Sequence, residues 1–561
     1  MSVSTGEKDG PLDDGGTKSV AELKTNIVNV EEGISEKSAG STESTEYVPN
    51  TLVSGSRLAL IFIAFMMAFL LVALDQTILS TALPTIASRF DAVKDISWIA
   101  SAYFLPQASF MLFFGRVLTI APAKIVFLVT VGIFELGSLF CAIAPSVNFL
   151  IFGRAVAGLG GAGMWVSIMS IIARITTLQQ RPVLMGLFGA VFAVSSVIGP
   201  LIGGAFSDHV SWRWCFYINL PLGAVALLAI TFILPNHPPN TRLNVSQFQA
   251  WLNLDWLGTF LSVAVVTMLM LPLQWAGSTK PWNDPVIISL LVTAIVPLAL
   301  FILWEKRRGD QAVLPLSFFR RRNICGAFLG AGFSQIAFVV AIYYLPLLYQ
   351  IKGHSATKSG IDILPYMVSC VSAALATGSI IAKTGYPWPF MVLSPLVAGV
   401  GFGMMYTTNV DTSISKLIGY QILAGAGLGA ILQNAVIIAQ AEYVDNEALV
   451  PQATSLVTFM QIVGAAIGLS IAGGIFSSQL RIQVGNHAPN LSADIKNAVL
   501  SNIEAISQLP EAEKILVKAA YSAAIDRMFL IAVAGCAAAS VAALIIRRSR
   551  ITVSKTAGGA L

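Results

Sequence analysis

The chain contains fourteen apolar stretches between Leu58 and Ile546, each long enough to cross a lipid bilayer. A membrane-spanning helix needs about 20 mainly apolar residues, and only helices and closed barrels satisfy all backbone hydrogen bonds in lipid. These stretches are continuously apolar and do not alternate between apolar and polar residues, which predicts helices and excludes a barrel. The sequence therefore predicts an all-α membrane protein with fourteen spans.

The predicted spans also indicate how the chain is oriented. An even number of spans places both ends on one side of the membrane. Lys and Arg are more frequent in the short loops on that side, so the positive-inside rule predicts that both termini are cytosolic. The spans lie at about residues 58–82, 96–114, 123–144, 147–172, 182–206, 214–234, 254–276, 286–304, 323–348, 360–382, 388–407, 416–440, 453–477 and 528–546.

Charge and cysteine content exclude several classes of protein. Only 11% of the 561 residues are charged and the formal net charge is +5, with Lys and Arg spread between spans, so a nucleic-acid partner is not expected. The five cysteines are scattered and predict neither a disulfide framework nor a metal site. No metal-ligand cluster, nucleophile elbow or phosphate loop is present, so we expect neither an enzyme nor a cofactor.

Two glycine-rich patterns occur twice, eight spans apart. Residues 153–161 resemble residues 419–427, and residues 198–204 resemble residues 467–474. This offset predicts two six-helix halves with two helices inserted between them, as in transporters built from paired repeats. The predicted organisation is a disordered cytosolic tail (1–56), a first half (57–235), two inserted helices (236–310), a second half (311–546) with an outer loop (478–527), and a cytosolic tail (547–561).

Two opposite charges are predicted to lie at similar depth in the membrane. Asp75 lies 18 residues after Arg57 in the first span, which is roughly 27 Å along a helix. Arg154 lies roughly 10 Å from the other edge in the fourth span, which runs in the opposite direction. Charges inside spans are costly and either pair with each other or mark a transport pathway. We therefore expect a titratable pair that lines a cavity or, alternatively, a permanent structural ion pair.

Four other charged residues lie inside or near the spans. Glu135 lies near the middle of the third span and is predicted to be either a proton relay or a neutral, hydrogen-bonded acid at a helix contact. Asp255, Asp362 and Lys383 lie near span ends, so their side chains are predicted to extend to the membrane interface.

Small residues concentrate in the fourth and fifth spans. Gly199, Pro200, Gly203 and Gly204 remove side-chain bulk and one backbone donor, which predicts a bend or a close helix contact. Gly158 follows Arg154 by one helical turn and is predicted to pack in the same way. Such spacing is also common in membrane helices that have no special role.

The predicted outer loop has two features of its own. Ile495, Val499, Ile503 and Ile506 recur at helical spacing, which predicts an amphipathic helix on the outer surface. Asn490 begins an Asn-Leu-Ser acceptor for glycosylation, which is usable if the loop faces the secretory lumen. The similar motif at Asn244 lies in a predicted cytosolic loop.

Several motifs follow one another in an order that is specific to one family. They are Leu-Asp-Gln-Thr-Ile-Leu-Ser-Thr-Ala-Leu-Pro at 74–84, Trp-Ile-Ala-Ser-Ala-Tyr at 98–103, the pattern around Arg154, the glycine-proline pattern at 199–204, and Trp-Arg-Trp-Cys-Phe-Tyr-Ile-Asn-Leu-Pro-Leu-Gly at 212–223. Through them the chain resembles the fourteen-span drug:proton antiporter branch of the major facilitator superfamily, particularly its fungal members. The resemblance implies alternating access, proton-driven export across the plasma membrane, and a part for Asp75 and Arg154 in proton coupling.

The first inner loop departs from the family pattern. The family reads Gly-x-Leu-x-Asp-x-x-Gly-Arg-Lys, and this chain keeps Gly115 and Lys124 but has Thr119, Pro122 and Ala123 at the aspartate, glycine and arginine positions. Gly115 is predicted to act in helix packing. The usual charged contact between helices is missing, so another contact is expected to control the conformational change.

A substrate cavity between the halves should be lined by apolar and aromatic groups with a few polar ones. Broad apolar lining fits amphiphilic substrates such as secondary metabolites, toxins, glycolipids or drugs. Seven residues in three spans are candidates for this lining: Trp98, Tyr103, Gln107, Tyr343, Tyr344, Gln433 and Asn434.

The sequence thus predicts a proton-coupled efflux transporter in the plasma membrane, with protons, a small molecule and lipid as its partners and a monomeric state. A proton-linked importer or organic-acid transporter of the same fold is the alternative, as is a vacuolar or other internal membrane. A receptor without transport activity is a further alternative, which would be expected to carry a large added cytosolic domain.

Overall fold

The computed structural model describes most of the chain after the leading tail. The described residues are 53, 55–90, 96–177, 180–235, 247–276, 280–354, 356–409, 412–443, 445–501, 506 and 509–548. The predictions for residues 1–52, for residues 549–561, and for Asn244 and Ile503 therefore lie outside the described residues.

Fourteen helices within the described residues are long and apolar enough to cross a membrane, which confirms the predicted all-α fold. Short helical segments precede the sixth, seventh and tenth of these helices, at Trp214–Tyr217, Gln247–Leu252 and Ala356–Asp362 respectively. The fourteen are α1 (Gly55–Phe90), α2 (Ile96–Ile120), α3 (Ala123–Ala142), α4 (Val147–Ile175), α5 (Arg181–His209), α6 (Asn219–Ile233), α7 (Trp256–Trp275), α8 (Pro285–Thr293 and Ile295–Arg308), α9 (Arg322–Ile351), α10 (Leu364–Thr384), α11 (Trp388–Tyr406), α12 (Ile414–Leu432 and Asn434–Ala441), α13 (Val450–His487) and α14 (Glu511–Ala543).

Local chemistry explains where several helices begin and end. The Asp284 carboxylate accepts a 2.8 Å hydrogen bond from the amide of Val286 at the start of α8, and this bond lowers the pKa of Asp284. Gly385 ends α10 with φ +77°, a left-handed conformation that glycine adopts without strain.

Much of the predicted outer loop at 478–527 is helical. Helix α13 continues to His487 and α14 already begins at Glu511, because both helices extend past their apolar stretches. The 38 residues of α13 span about 57 Å, more than the roughly 30 Å of bilayer hydrocarbon. A prediction based on apolar runs alone therefore ends these helices too early.

The short helix Ala493–Ser501 lies between α13 and α14. Its Val499 side chain is fully buried, and the Val499 carbonyl accepts a 2.5 Å hydrogen bond from the hydroxyl of Tyr521 in α14. The predicted apolar face therefore packs on the bundle and does not lie free on an outer surface.

Matching helices of the two halves pack in the same pairs. In the first half, α1 packs on α5 and α6, and α4 packs on α2 and α3. In the second half, α9 packs on α13 and α14, and α12 packs on α10 and α11. The halves meet where α5 packs on α10 and where α2 packs on α13, while the inserted α7 packs on α2, α8 and α13.

One end of the bundle gathers the start of α1 and the end of α2, and we call it the inner end. Polar contacts tie neighbouring helices together there. Arg181 Nη1 at the start of α5 donates to Gln440 Oε1 in α12 over 3.3 Å, which joins the two halves. Within the first half, Arg57 Nη2 donates to Ile233 O over 3.3 Å and Lys124 Nζ to Leu234 O over 2.6 Å.

Candidate functional site: a buried ion pair between α1 and α4

Asp75 of α1 and Arg154 of α4 form an ion pair inside the first half. Arg154 Nη1 donates to Asp75 Oδ2 over 2.5 Å, and both side chains are 1% exposed. Arg154 Nε also donates to the Ile99 carbonyl over 3.4 Å. The second carboxylate oxygen, Asp75 Oδ1, is buried and accepts no hydrogen bond from the described residues. The pair predicted from helix depth is therefore in contact, with one free oxygen on the acid.

Tyr103 of α2 covers the guanidinium from one side. Its ring centroid lies 4.6 Å from Arg154 Cζ, within the range of a cation–π interaction. Two glycines of α4 leave room for this tyrosine, because a Cβ on Gly158 would lie 2.9 Å from the Tyr103 carbonyl carbon, and one on Gly161 would lie 2.5 Å from the Tyr103 hydroxyl. Gly158 therefore lies at a close contact between α2 and α4, and Tyr103 contacts the ion pair.

The glycine-proline segment of α5 contacts α1 two residues after Asp75. A Cβ on Gly199 would lie 2.8 Å from Thr77 Cβ, so the glycine permits this close approach. Helix α5 runs without interruption through Pro200. Gly203 is buried, whereas Gly204 is partly exposed, and a Cβ on Gly204 would have no neighbouring atom within 4 Å among the described residues. Gly199, but not Gly204, is therefore a contact residue.

Glu135 of α3 is a second acid in the interior of the same half. Both of its carboxylate oxygens are buried and have no hydrogen-bond partner among the described residues. The carboxyl occupies the space left by Gly223 of α6, since a Cβ there would overlap with Glu135. One turn away, Asn219 Nδ2 donates to Ser138 Oγ over 3.2 Å. The hydrogen bond expected under one of the two predictions for Glu135 is therefore not found among the described residues, and the proton-relay alternative stays a prediction.

The second half contains the same scaffold without the charges. A Cβ on Gly425 of α12 would lie 3.1 Å from the carbonyl carbon of Tyr366 in α10, just as a Cβ on Gly158 would approach Tyr103. Four residues before Gly425, where α4 carries Arg154, α12 carries Gln421, which is fully buried. Gln421 Nε2 donates over 2.5 Å to the hydroxyl of Tyr349 in α9. A neutral side chain therefore stands on α12 at the position that matches Arg154, and its hydrogen-bond partner lies on the first helix of the same half.

The other predicted cavity residues lie in separate places. Trp98 is half-buried and packs edge-on against Trp275 of α7, with ring centroids 5.3 Å apart. Gln107 is buried, with its amide nitrogen 3.7 Å from the Cβ position of Gly161 beside Tyr103.

The four candidates of the second half differ in exposure. Tyr343 is 53% exposed, whereas Tyr344 is buried against Phe476 of α13 with ring centroids 5.4 Å apart. Gln433 marks a break in α12, and Asn434 donates a 2.6 Å hydrogen bond to the Ala430 carbonyl of its own helix. Only Tyr343 of these four has a largely exposed side chain, and the common lining stays a prediction.

Sequence reasoning missed several buried or paired charges at the inner end. Asp255 is 1% exposed and does not extend to the membrane interface as predicted, because it caps α7 by accepting from the amide of Gly258 over 2.8 Å. Glu305 of α8 is fully buried. Arg321, which precedes α9, pairs with Glu442 over 3.1 Å, and this hydrogen bond raises the pKa of Arg321. The sequence around carboxylates at span ends carries no signal that separates buried from exposed positions.

Asn490 lies in an exposed turn after α13, at the end of the bundle opposite to the inner end. The hydroxyl of Ser492, the third residue of the acceptor motif, accepts a 3.3 Å hydrogen bond from the amide of Ile495. Among the described residues there is no group of three or more His, Cys, Asp or Glu side chains that could hold a metal ion.

Solved structures share this fold. A bacterial homologue of the human lysosomal transporter Spinster has a TM-score of 0.54 at 15% identity, covering 88% of this chain and 98% of that chain. The human organic anion transporter MFSD10 also has a TM-score of 0.54, at 13% identity, covering 86% of this chain and all of that chain (100%). At such low identity these two structures establish the fold alone.

The sequence relatives of this chain have a much higher identity than the two solved structures. The MFS-type efflux pump MFS1 of Arthroderma benhamiae is 41% identical over 462 residues, which are 82% of this chain and 85% of that protein. The MFS-type transporter astH of Aspergillus oryzae is 38% identical over 510 residues, 90% of this chain and 88% of that protein. The sequence pattern of the Major Facilitator Superfamily matches residues 65–469. The chain therefore belongs to the major facilitator superfamily, a family of multi-pass membrane transporters and not of enzymes.

Proposed function

We propose that this protein is a proton-coupled exporter of amphiphilic small molecules, working as a monomer by alternating access in the plasma membrane with both termini cytosolic. The export direction is supported by the names of its relatives, since MFS1 and aunC of Aspergillus niger are both described as efflux pumps. The proton coupling is supported by the buried contact between Asp75 and Arg154. That contact is the observation on which the proposal depends.

The ion pair offers a simple way to couple a proton to a conformational change. While Asp75 is ionised, it holds Arg154 at 2.5 Å in a buried site. A proton arriving on the free Oδ1 oxygen neutralises the acid and leaves the guanidinium without its counter-charge. An unpaired buried charge is costly, by about 3–5 kcal/mol when one partner of such a pair is removed. The conformation that hydrates Arg154 or gives it another partner is then favoured.

The alternative role for this pair is purely structural. The second half argues against it, because Gln421, at the α12 position that matches Arg154, joins α12 to α9 through a neutral hydrogen bond with Tyr349. The fold therefore does not need two charges to join these helices. Glu135 is proposed to hold a proton in this conformation, since neither of its buried carboxylate oxygens has a partner among the described residues.

The substrate is proposed to be a secondary metabolite, toxin, glycolipid or drug. An organic acid would need a free cation, and Arg154 is already engaged by Asp75. Tyr343 is the most accessible of the aromatic candidates, with an apolar ring and a hydroxyl that suit an amphiphilic ligand. The protein would then contribute to resistance against such compounds.

The test uses purified protein in proteoliposomes with a pH gradient and rhodamine 6G as an amphiphilic probe. We expect the gradient to drive dye movement opposite to the proton flow. Asp75→Asn should lower this gradient-driven transport at least tenfold while leaving dye exchange without a gradient largely intact. Asp494→Asn, the same chemical change at an exposed carboxylate, serves as the matched control and should behave as the unmodified protein.

The outcomes separate the competing functions. Full gradient-driven transport by Asp75→Asn would remove Asp75 as the coupling group and leave the pair structural. Dye movement in the same direction as the protons would identify an importer. Transport that is indifferent to the gradient in the unmodified protein would reject proton coupling altogether.

A further inference from the structure

Residues 309–315, which join α8 to α9, cross the inner end of the bundle between helices of opposite halves. We call this segment the strap. Arg116 Nη1, near the end of α2, donates to the Asp310 carbonyl over 3.3 Å. Gln452 Nε2, near the start of α13, donates to the Ala312 carbonyl over 3.3 Å. The strap therefore contacts both halves through its backbone, and its Ala312 side chain is fully buried.

A buried acid of α8 holds the strap in place. Glu305 is 0% exposed, and its Oε2 atom accepts a 2.8 Å hydrogen bond from the amide of Leu314 in the strap. Its Oε1 atom is buried, has no hydrogen-bond partner among the described residues, and would lie 2.8 Å from a Cβ on Gly258. A buried carboxyl group is costly unless it is hydrogen-bonded. Glu305 therefore has a definite partner, the backbone of the strap.

A second acid joins the two inserted helices at the same level. Asp255 Oδ1 at the start of α7 accepts a 2.7 Å hydrogen bond from Trp304 Nε1 of α8. The same oxygen lies 3.8 Å from Arg308 Nε at the end of α8. Polar contacts thus join the two inserted helices, and α7 also packs on α2 and α13.

Below the strap, α2 and α13 touch without intervening side chains. Gly115 lies so close to Ser455 that a Cβ on the glycine would be 2.7 Å from Ser455 Cβ. Ser455 itself is 1% exposed. The inner end is therefore closed at this point, directly under the strap.

We propose that the strap is the inner latch of this transporter. It takes the place of the charged contact that Thr119, Pro122 and Ala123 cannot make, and the inserted helix α8 supplies the acid, Glu305, that holds it. Opening of the inner end requires the strap to release Arg116 or Gln452, after which α2 and α13 can separate. This proposal rests on the proposed function only because it requires alternating access. It does not require proton coupling.

The first test measures access to the junction under the strap. Ser455→Cys is introduced into a background in which the five native cysteines are replaced, and the protein is placed in lipid nanodiscs. The initial rate of labelling by a charged maleimide is then compared between variants. We expect Arg116→Ala, Gln452→Ala and Glu305→Ala each to raise this rate at least threefold. Lys306→Ala, which changes the exposed neighbour of Glu305, should leave the rate unchanged.

A second measurement covers the case in which a latch variant fails to fold. Ala312→Cys and Gln452→Cys are joined by a short, reducible bifunctional thiol reagent, which prevents the strap from leaving α13. Rhodamine 6G transport should stop after cross-linking and recover after reduction. Labelling rates of the latch variants equal to that of Lys306→Ala, or undiminished transport by the cross-linked protein, would overturn the proposal.

Discussion

Gln421 and Tyr349 share a 2.5 Å hydrogen bond in the second half of the protein, and Gln421 occupies the α12 position that matches Arg154, the arginine that pairs with Asp75 in the first half. Both pairs connect the fourth helix of a half to its first helix, and both lie beside a tyrosine that packs on a glycine. The two halves therefore share a scaffold and differ in charge. This difference allows the scaffold role and the coupling role to be tested separately.

Replacing Gln421 by Ala should leave proton-driven transport in place, because the neutral pair carries no charge to titrate. We expect a loss of stability of about 1–3 kcal/mol, because the buried hydroxyl of Tyr349 loses its hydrogen-bond partner. Arg154→Gln should instead abolish the response of transport to the pH gradient. Dye transport at several gradients measures both variants, and a loss of gradient response in Gln421→Ala would contradict the assignment of proton coupling to the ion pair of the first half.

Gly158→Ala should destabilise the protein, since the new methyl group would overlap with the backbone of Tyr103. Overpacking of this kind costs about 1–3 kcal/mol. Gly204→Ala is the control, because a Cβ there meets no atom within 4 Å among the described residues. Thermal unfolding in detergent, followed by intrinsic fluorescence, should show a lower melting temperature for the first variant only. Equal melting temperatures would show that the α2–α4 contact is loose.

Tyr103→Phe should transport almost normally, because the ring over Arg154 remains, whereas Tyr103→Leu should not. A cation–π contact in a desolvated site contributes about 2 kcal/mol, which corresponds to a change of roughly thirtyfold in an equilibrium. The pH dependence of dye transport is the measurement. If the phenylalanine variant is as impaired as the leucine variant, the hydroxyl and not the ring is what the site requires.

Asn490 should carry an N-linked glycan when the protein is made in a eukaryotic secretory system, since it is exposed in a turn away from the inner end. Asn490→Gln should then remove a mobility shift that endoglycosidase treatment also removes. Asn244→Gln, which changes the other acceptor motif, should leave the mobility unaltered. A shift that depends on Asn244 would reverse the predicted orientation of the chain in the membrane.

The spans and the ion pair could be predicted because both follow from the length of apolar runs and the regular rise of a helix. Continuous apolar runs define membrane helices, and a rise of about 1.5 Å per residue fixes the depth of each charge. This arithmetic places Asp75 and Arg154 at the same level from the sequence alone, and the structure brings them to 2.5 Å.

The inner end could not be predicted in the same way. The burial of Asp255 and Glu305 depends on how the inserted helices pack against α2 and on the path of a connecting segment. No local sequence pattern predicts this packing or this path. The sequence likewise predicts Tyr103 as an aromatic residue of the cavity. Its packing on Arg154 depends on two glycines of a different helix and cannot be read from the residues around Tyr103.

The fit between Gly223 and Glu135 links two positions that are 88 residues apart in the chain. The acid has its place only because the opposite helix has no side chain there. During divergence of this family, a larger residue at position 223 would displace the acid, so the two sites are expected to change together. A lineage that gains bulk at the first position should lose the carboxyl at the second, and with it whatever proton that carboxyl stores.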